Sequence, residues 1–197
     1  IESNKSPLDL IRIAININKY QDAKILVNTL KKLGYDIGLN LMQAHGKTKK
    51  DYKDIARTIK SWASVDILYF ADSLGNMSPN EIKFICNSLK SEWRSKLGIH
   101  THNNKNLALI NTMTAINNGV EWCDSTINGM GRGAGNLETE NLLIEAVNEN
   151  LHKGQFKYLN KTLEDFKKLK NKLKWGPNFL YHFAANKNIH PTYVQTL

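Results

Sequence analysis

The chain reads as an α/β protein built on a parallel sheet. Three observations predict this: five short apolar runs with strand character, a segment of helical period after each, and polar turns between them, repeating at about twenty-five to thirty residues. That alternation demands parallel pairing through right-handed crossovers, so the sheet is either open and doubly wound or part of a (β/α)8 barrel.

The strand-like runs are Leu10 to Ile17, Ile37 to Met42, Val65 to Ala71, Leu97 to His100 and Trp122 to Ile127. The helices between them show a 3.6-residue apolar period: Ala23, Leu26, Val27 and Leu30, then Ile55, Ile59 and Trp62, then Ile82, Ile85, Cys86 and Leu89. Leu107, Ile110 and Ala115 continue the pattern, and Leu142, Leu143 and Ala146 close it. Each stripe is core packing before it is anything else. Ser78-Pro79-Asn80-Glu81 places a cap residue before a proline at the first helical position, and Gly34 and Gly119 stand where helices should end.

Bulk properties set wide bounds. A chain of 197 residues with 41% hydrophobic content can bury a sizeable core in one or two domains. Cys86 and Cys123 form no Cys-x-x-Cys pattern, which fits a reducing compartment, and each reads as a small core residue rather than a nucleophile. With no long apolar run and no signal-peptide layout, the expected location is the cytoplasm, away from membranes; a start at Ile1 leaves a removed leader open. The net charge of +9 is densest at Lys161, Lys167, Lys168, Lys170, Lys172 and Lys174. That cluster has no interleaved aromatics, so it reads as a solvated helix face rather than a nucleic-acid surface, while a basic enzyme suits an anionic small substrate.

Two motifs carry chemistry. Gly98-Ile99-His100-Thr101-His102-Asn103-Asn104 ends a strand-like run, and residues two apart in a strand face the same way, so both imidazoles aim at a common point where they can hold one divalent cation. The bland reading is two solvated histidines. About thirty residues later, Gly129-Met130-Gly131-Arg132-Gly133-Ala134-Gly135-Asn136 sets four glycines within seven positions between a strand and a helix, where a loop can bend over an anionic ligand and present its amides. The order of strand, histidine pair, helix, strand and glycine-rich turn is more restrictive than either motif.

With Ile11-Arg12-Ile13-Ala14 and Tyr69-Phe70-Ala71-Asp72-Ser73-Leu74-Gly75, these motifs resemble the metal-dependent aldolases and acyl-condensing enzymes that include 4-hydroxy-2-oxovalerate aldolase, hydroxymethylglutaryl-CoA lyase and isopropylmalate synthase. The resemblance covers most of residues 9 to 150 and lies nearest the 4-hydroxy-2-oxovalerate aldolase branch. It selects the TIM barrel, and since only five of eight strands are found, the expectation is a partial (β/α)8 barrel of the last five strands over 1–152, with a helical extension over 153–197. The family's first three strands, with an Arg-Asp-Gly-type motif supplying a metal-binding aspartate and an arginine, have no match in this chain. The exposed sheet edge would need completing, so the chain is expected to be a catalytically incomplete piece of a longer polypeptide.

The resemblance implies reversible aldol cleavage of a 4-hydroxy-2-keto acid to pyruvate and an aldehyde, with a divalent cation offsetting the negative charge that gathers on the keto oxygen. His100 and His102 would be two metal ligands. Mn2+ or Mg2+ is favoured, with Zn2+ and Co2+ open. Asn136 matches an asparagine that comes close to the metal, its plain alternative being a helix N-cap. Asp72 and Ser73 match an Asp-Ser turn in which Ser73 helps hold the keto-acid carboxylate. Arg12 either binds substrate or braces carboxylates from a structural ion pair beneath the site. Asn16, Gln43 and His45 stand near strand ends as substrate-facing groups or plain loop residues. No catalytic base is assigned from this chain; Tyr181 is a loose counterpart of a tyrosine that follows the barrel, against a core or interface aromatic. The family further implies a homo-oligomer and an aldehyde dehydrogenase partner. Arg132 departs from the aldolases, which carry a small residue there, and acyl-condensing synthases remain the enzymatic alternative, beside a noncatalytic barrel subunit completed by a partner. The lyase branch's loop cysteine is missing, since Cys123 precedes the loop.

Overall fold

A computed structural model describes residues 1–154 and 156–196. Its five strands are β1 (Leu10–Asn16), β2 (Asp36–Met42), β3 (Ile67–Asp72), β4 (Lys96–Thr101) and β5 (Trp122–Cys123), paired in sequence order. Helices α1 (Lys24–Lys32), α2 (Lys49–Lys60), α3 (Pro79–Lys90), α4 (Ala108–Asn117) and α5 (Thr139–Asn148) alternate with the strands, and α6 (Leu159–Leu173), α7 (Phe179–Asn186) and α8 (Pro191–Val194) follow. This is the expected α/β arrangement of a partial barrel with a helical C-terminal extension. Among the described residues no helix is long and apolar enough to cross a membrane.

The chain divides into two compact units. One holds residues 1–72, 79–100 and 114–123, and the other holds 73–78, 101–113 and the chain from Asp124 onward.

In the first unit, parallel register pairs Ile11 with Ile37, Ile13 with Leu39 and Ile15 with Leu41, and Leu39 with Leu68 in turn. Neighbouring strands joined in order by right-handed crossovers put α1, α2 and α3 on one face of the sheet. Side chains alternate accordingly. Ile37, Leu39, Leu41, Leu68, Phe70, Leu97 and Ile99 are buried on the helix side. The opposite face carries the even members of β1 and β2: Arg12 and Ala14, both exposed, in register with Gly38 and Asn40.

The helices repeat the same economy. In α2, Tyr52, Ile55, Ala56 and Ile59 are buried, and in α3, Ile82, Ile85, Cys86 and Leu89, each a set at i, i+3, i+4 and i+7. Thr48 caps α2 through a reciprocal pair with Asp51, a capping box that satisfies two orphan donors. Gly34 and Gly119 follow α1 and α4 with φ of +91° and +83°, as their positions predicted. Burial pushes the Cys86 thiol up to about 12, which fits a core residue and not a nucleophile. The lysine-rich α6 keeps Lys161, Lys167, Lys168 and Lys172 exposed, as a solvated face requires.

One difference from the sequence expectation concerns β5. It spans only Trp122–Cys123, because beyond it Thr126 bridges Glu138 and the backbone turns into a 3-10 segment at Ile127–Gly129.

Leu39→Ala should lower unfolding free energy by about 2–5 kcal/mol and Thr48→Ala by about 1 kcal/mol, both read by urea denaturation. Because its thiol stays protonated at pH 8, Cys86 should resist a thiol reagent until denaturant is added; rapid modification of native Cys86 would contradict its burial.

Candidate metal and glycine-turn site

The histidine pair is oriented by the residue between them. Thr101 is buried and its hydroxyl lies 3.0 Å from that of Thr112 on α4, a hydrogen bond that commits Thr101 to the helix side. Strand alternation then turns His100 and His102, both half-buried, to the other face. The next residues are held as firmly. Asn103 Oδ1 accepts from Ala108 N–H at 3.2 Å at the start of α4, and Asn104 is buried.

The glycine turn is tied to this strand end by backbone. His102 forms an antiparallel bridge with Asn136, Asn103 N–H donates to Gly135 O at 3.0 Å, and Leu137 N–H donates to Thr101 O at 3.3 Å. On the other side Thr126 N–H donates to Leu137 O at 2.9 Å, so the short piece from Gly135 to Glu138 is paired on both edges. Gly135 has to be glycine: its φ is +82°, and a Cβ there would lie 2.2 Å from Gly129 O.

Asn136 is no helix cap. Helix α5 begins at Thr139, and the residue at its N-cap is Glu138, which makes no side-chain capping bond. Pairing with His102 takes Asn136 into an extended position instead. Its Nδ2 donates to Met130 O at 3.0 Å, and its Oδ1 is buried with no hydrogen-bond partner. A buried amide oxygen left unsatisfied costs about 1–3 kcal/mol, which a cation or a donor from a ligand would recover.

The end of β3 supplies the Asp-Ser turn. Asp72 is buried and Ser73 half-buried, each with interactions inside the protein. Two residues on, Gly75 has φ +58°, and a Cβ there would lie 2.7 Å from Asn104 N and 2.8 Å from His102 O. Lys105 N–H donates to Gly75 O at 3.1 Å. The turn that carries Ser73 therefore lies directly against the backbone of His102 to Asn104, a closeness that only a residue without a side chain permits.

In the sheet unit, the Arg12 guanidinium lies 4.8 Å from the centroid of the buried Tyr69 ring, a cation–π contact on an otherwise exposed arginine. Asn16 Nδ2 donates to Gln43 Oε1 at 2.7 Å, while Asn16 Oδ1 accepts from Asn18 N–H; His45 is half-buried. Sequence reading passed over Asn40. It is 6% exposed, its Oδ1 is buried without a partner, and it shares the Arg12 face in register between Ala14 and Tyr69. A single amide inside the apolar run Ile37 to Met42 was the signal that could have found it.

The C-terminal helices hold the glycine turn from behind. Trp175 Nε1 donates to Asn128 O at 2.9 Å, Gly176 N–H to Gly133 O at 2.9 Å, and Asn128 Nδ2 to Leu163 O at 2.8 Å. Tyr181, on α7, is buried: a Cβ on Gly133 would lie 3.1 Å from its ring. No sequence signal linked these residues to the turn, because they are 35 to 48 positions away from their partners in it.

The donor set suits a divalent cation in part. Two imidazoles and an unsatisfied amide oxygen are the kinds of group such an ion takes, but among the described residues no three His, Cys, Asp or Glu side chains cluster as a metal site. A carboxylate ligand is what that set lacks.

Comparison with known proteins places the chain among aldolase-type α/β folds. The HMGL-like family profile matches residues 12–169. A 4-hydroxy-2-oxovalerate aldolase of Brevibacillus brevis is 33% identical over 134 residues, covering 68% of this chain and 39% of its own length. The N-terminal domain of a candidate aldolase from Bacteroides vulgatus superposes with a TM-score of 0.86 at 31% identity, covering 95% of this chain and 62% of that one. HMG-CoA lyase of Bacillus subtilis shares the fold at a TM-score of 0.67 and 16% identity, covering 85% of this chain and 63% of its own. The chain spans about two fifths of the length of the curated relatives it matches. With that profile matching residues 12–169, well over half of its length, this chain belongs to the HMGL-like family.

Proposed function

We propose that the chain is the C-terminal part of the catalytic barrel, over 1–152, of a divalent-metal-dependent carbon–carbon lyase, with 153–197 as a helical extension. The reaction is cleavage of a 4-hydroxy-2-keto acid to pyruvate and an aldehyde. The observation that carries the reading is the backbone bridge between His102 and Asn136, which joins the histidine strand to an asparagine whose buried Oδ1 has no partner.

His100 and His102 would hold the ion, with Asn136 Oδ1 directed to it or to a substrate oxygen, and Mn2+ or Mg2+ is the favoured occupant. When bound, the cation supplies positive charge where the transition state gathers negative charge on the keto oxygen. The remaining work falls to the chain. Ser73, fixed by the Gly75 contact with Asn104, is the group to orient a keto-acid carboxylate, and buried Asp72 anchors that turn. Arg12, steadied on the Tyr69 ring, would add charge on the substrate-facing side of the sheet. Tyr181, packed beside Gly133, supports the glycine turn and is the side chain of this chain offered for proton transfer. The third ligand and the general base are assigned to polypeptide outside these residues. A homo-oligomer, an aldehyde dehydrogenase partner and a cytoplasmic location belong to the same proposal.

On the full-length gene product, titration calorimetry with Mn2+ should show affinity falling by roughly 100-fold in His100→Ala and His102→Ala, and by roughly tenfold in Asn136→Ala. Binding unchanged in the double histidine variant would end the metal assignment. Pyruvate release from 4-hydroxy-2-oxovalerate, followed through lactate dehydrogenase, should require the divalent ion and stop with a chelator. Metal binding without turnover would instead favour a noncatalytic subunit, and thiol release from an acyl-CoA would favour a condensing synthase. The 197-residue chain by itself should turn over far more slowly than the full-length product.

A further inference from the structure

The glycine turn separates its acceptor from its donors. On one side stands Asn136 Oδ1, and on the other the chain from Gly131 to Ala134 presents four successive N–H groups, none of which donates to any acceptor among the described residues. Gly133 and Ala134 are nonetheless buried, and peptide N–H groups in such positions are ordinarily paired. Arg132 projects from the middle of this stretch. It is exposed, it makes no ion pair with a carboxylate among the described residues, and its neighbour is another basic group: Arg132 Nη2 lies 3.3 Å from His190 Nε2.

That contact is poorly matched. His190 Nδ1 already accepts from Thr192 N–H at 3.4 Å, which leaves the ring proton on Nε2, facing a guanidinium that can only donate. The result shows in the imidazole's titration: burial first, and then the Arg132 charge, hold His190 below the ordinary histidine range. Two donors aimed at one another, beside a run of unengaged amides, have one common remedy, which is an anion whose oxygens both can reach.

We propose that Gly131 to Ala134, Arg132 and His190 form a binding site for an oxyanion, the terminal phosphoryl or carboxylate group of a small ligand. The amides donate to its oxygens, the Arg132 fork offers paired donors, and the His190 Nε2–H completes the set. The inference goes beyond lyase chemistry and does not need the metal. The turn is preorganised for this by contacts from behind, where Gly176 N–H holds Gly133 O at 2.9 Å and Tyr181 and Pro191 flank Gly133.

The test is a titration of the metal-free full chain with inorganic phosphate and separately with succinate, followed by the amide resonances of Gly131 to Ala134 and the imidazole resonance of His190. Saturable shifts confined to these residues are expected, and the His190 titration should move upward when the anion is bound. A larger response to phosphate identifies a phosphoryl ligand, and a larger response to succinate a carboxylate. Arg132→Gln should weaken binding by roughly tenfold. His190→Asn, which keeps an oxygen to cap α8, should weaken it severalfold while the remaining spectrum stays folded. Absence of shifts with both anions at millimolar concentration, or equal affinity in Arg132→Gln, would overturn the site. Neither outcome bears on metal-dependent pyruvate release, so the two readings stand or fall separately.

Discussion

The structure depends on an asymmetry between the two faces of its parallel sheet. Strands taken in order and joined by right-handed crossovers receive their helices on a single side, and that side takes most of the sheet's buried apolar residues: Ile37, Leu39, Leu41, Leu68, Phe70, Leu97 and Ile99. The hydrophobic stabilisation of the unit is concentrated there. The other face, on which Asn40 and Tyr69 are also buried, carries Arg12, Asn40 and His100, residues that would be costly among aliphatic side chains. The division begins in a two-residue alternation and ends as a division of labour between stability and chemistry.

The same logic governs the strand ends. A histidine pair is useful only if both rings face one way, and a strand provides this without special geometry, provided the residue between them is committed to the opposite side. Thr101 makes that commitment through its buried hydrogen bond to Thr112. Beyond it the chain relies on residues without side chains. Gly75 lets the Asp72-Ser73 turn approach the backbone of His102 to Asn104, and Gly135 lets the loop fold onto Gly129 O and present Asn136 to His102. These close approaches cost backbone entropy, which the ladder of hydrogen bonds from Asn103, Leu137 and Thr126 offsets.

Polar groups left without partners mark where this chain has the most to gain from a ligand. Asn40 Oδ1 and Asn136 Oδ1 are buried and unsatisfied, and the amides from Gly131 to Ala134 engage no protein acceptor among the described residues. Thr126 Oγ1, at the start of the loop, is likewise buried without a partner. Their chemistry differs along the loop, an acceptor at Asn136 and donors around Arg132, so one turn is suited to opposite charges at its two ends.

Local periodicity was enough to establish four of the strands, the i, i+3, i+4, i+7 stripes of α2 and α3, the Pro79 helix start and the glycine stops, because each depends on neighbours within a turn or two of chain. The His-x-His arrangement and the glycine cluster were legible for the same reason. What the sequence left undecided was settled by partners distant along the chain. The strand expected at Trp122 to Ile127 was cut to two residues by pairing with Glu138, and Asn136 became a bridge to His102 rather than a cap. Trp175 and Tyr181 became supports of the glycine turn, and His190 became the neighbour of Arg132 across 58 positions. Composition and spacing carry no record of such pairings, since they arise only when folding brings separate segments to hydrogen-bonding distance.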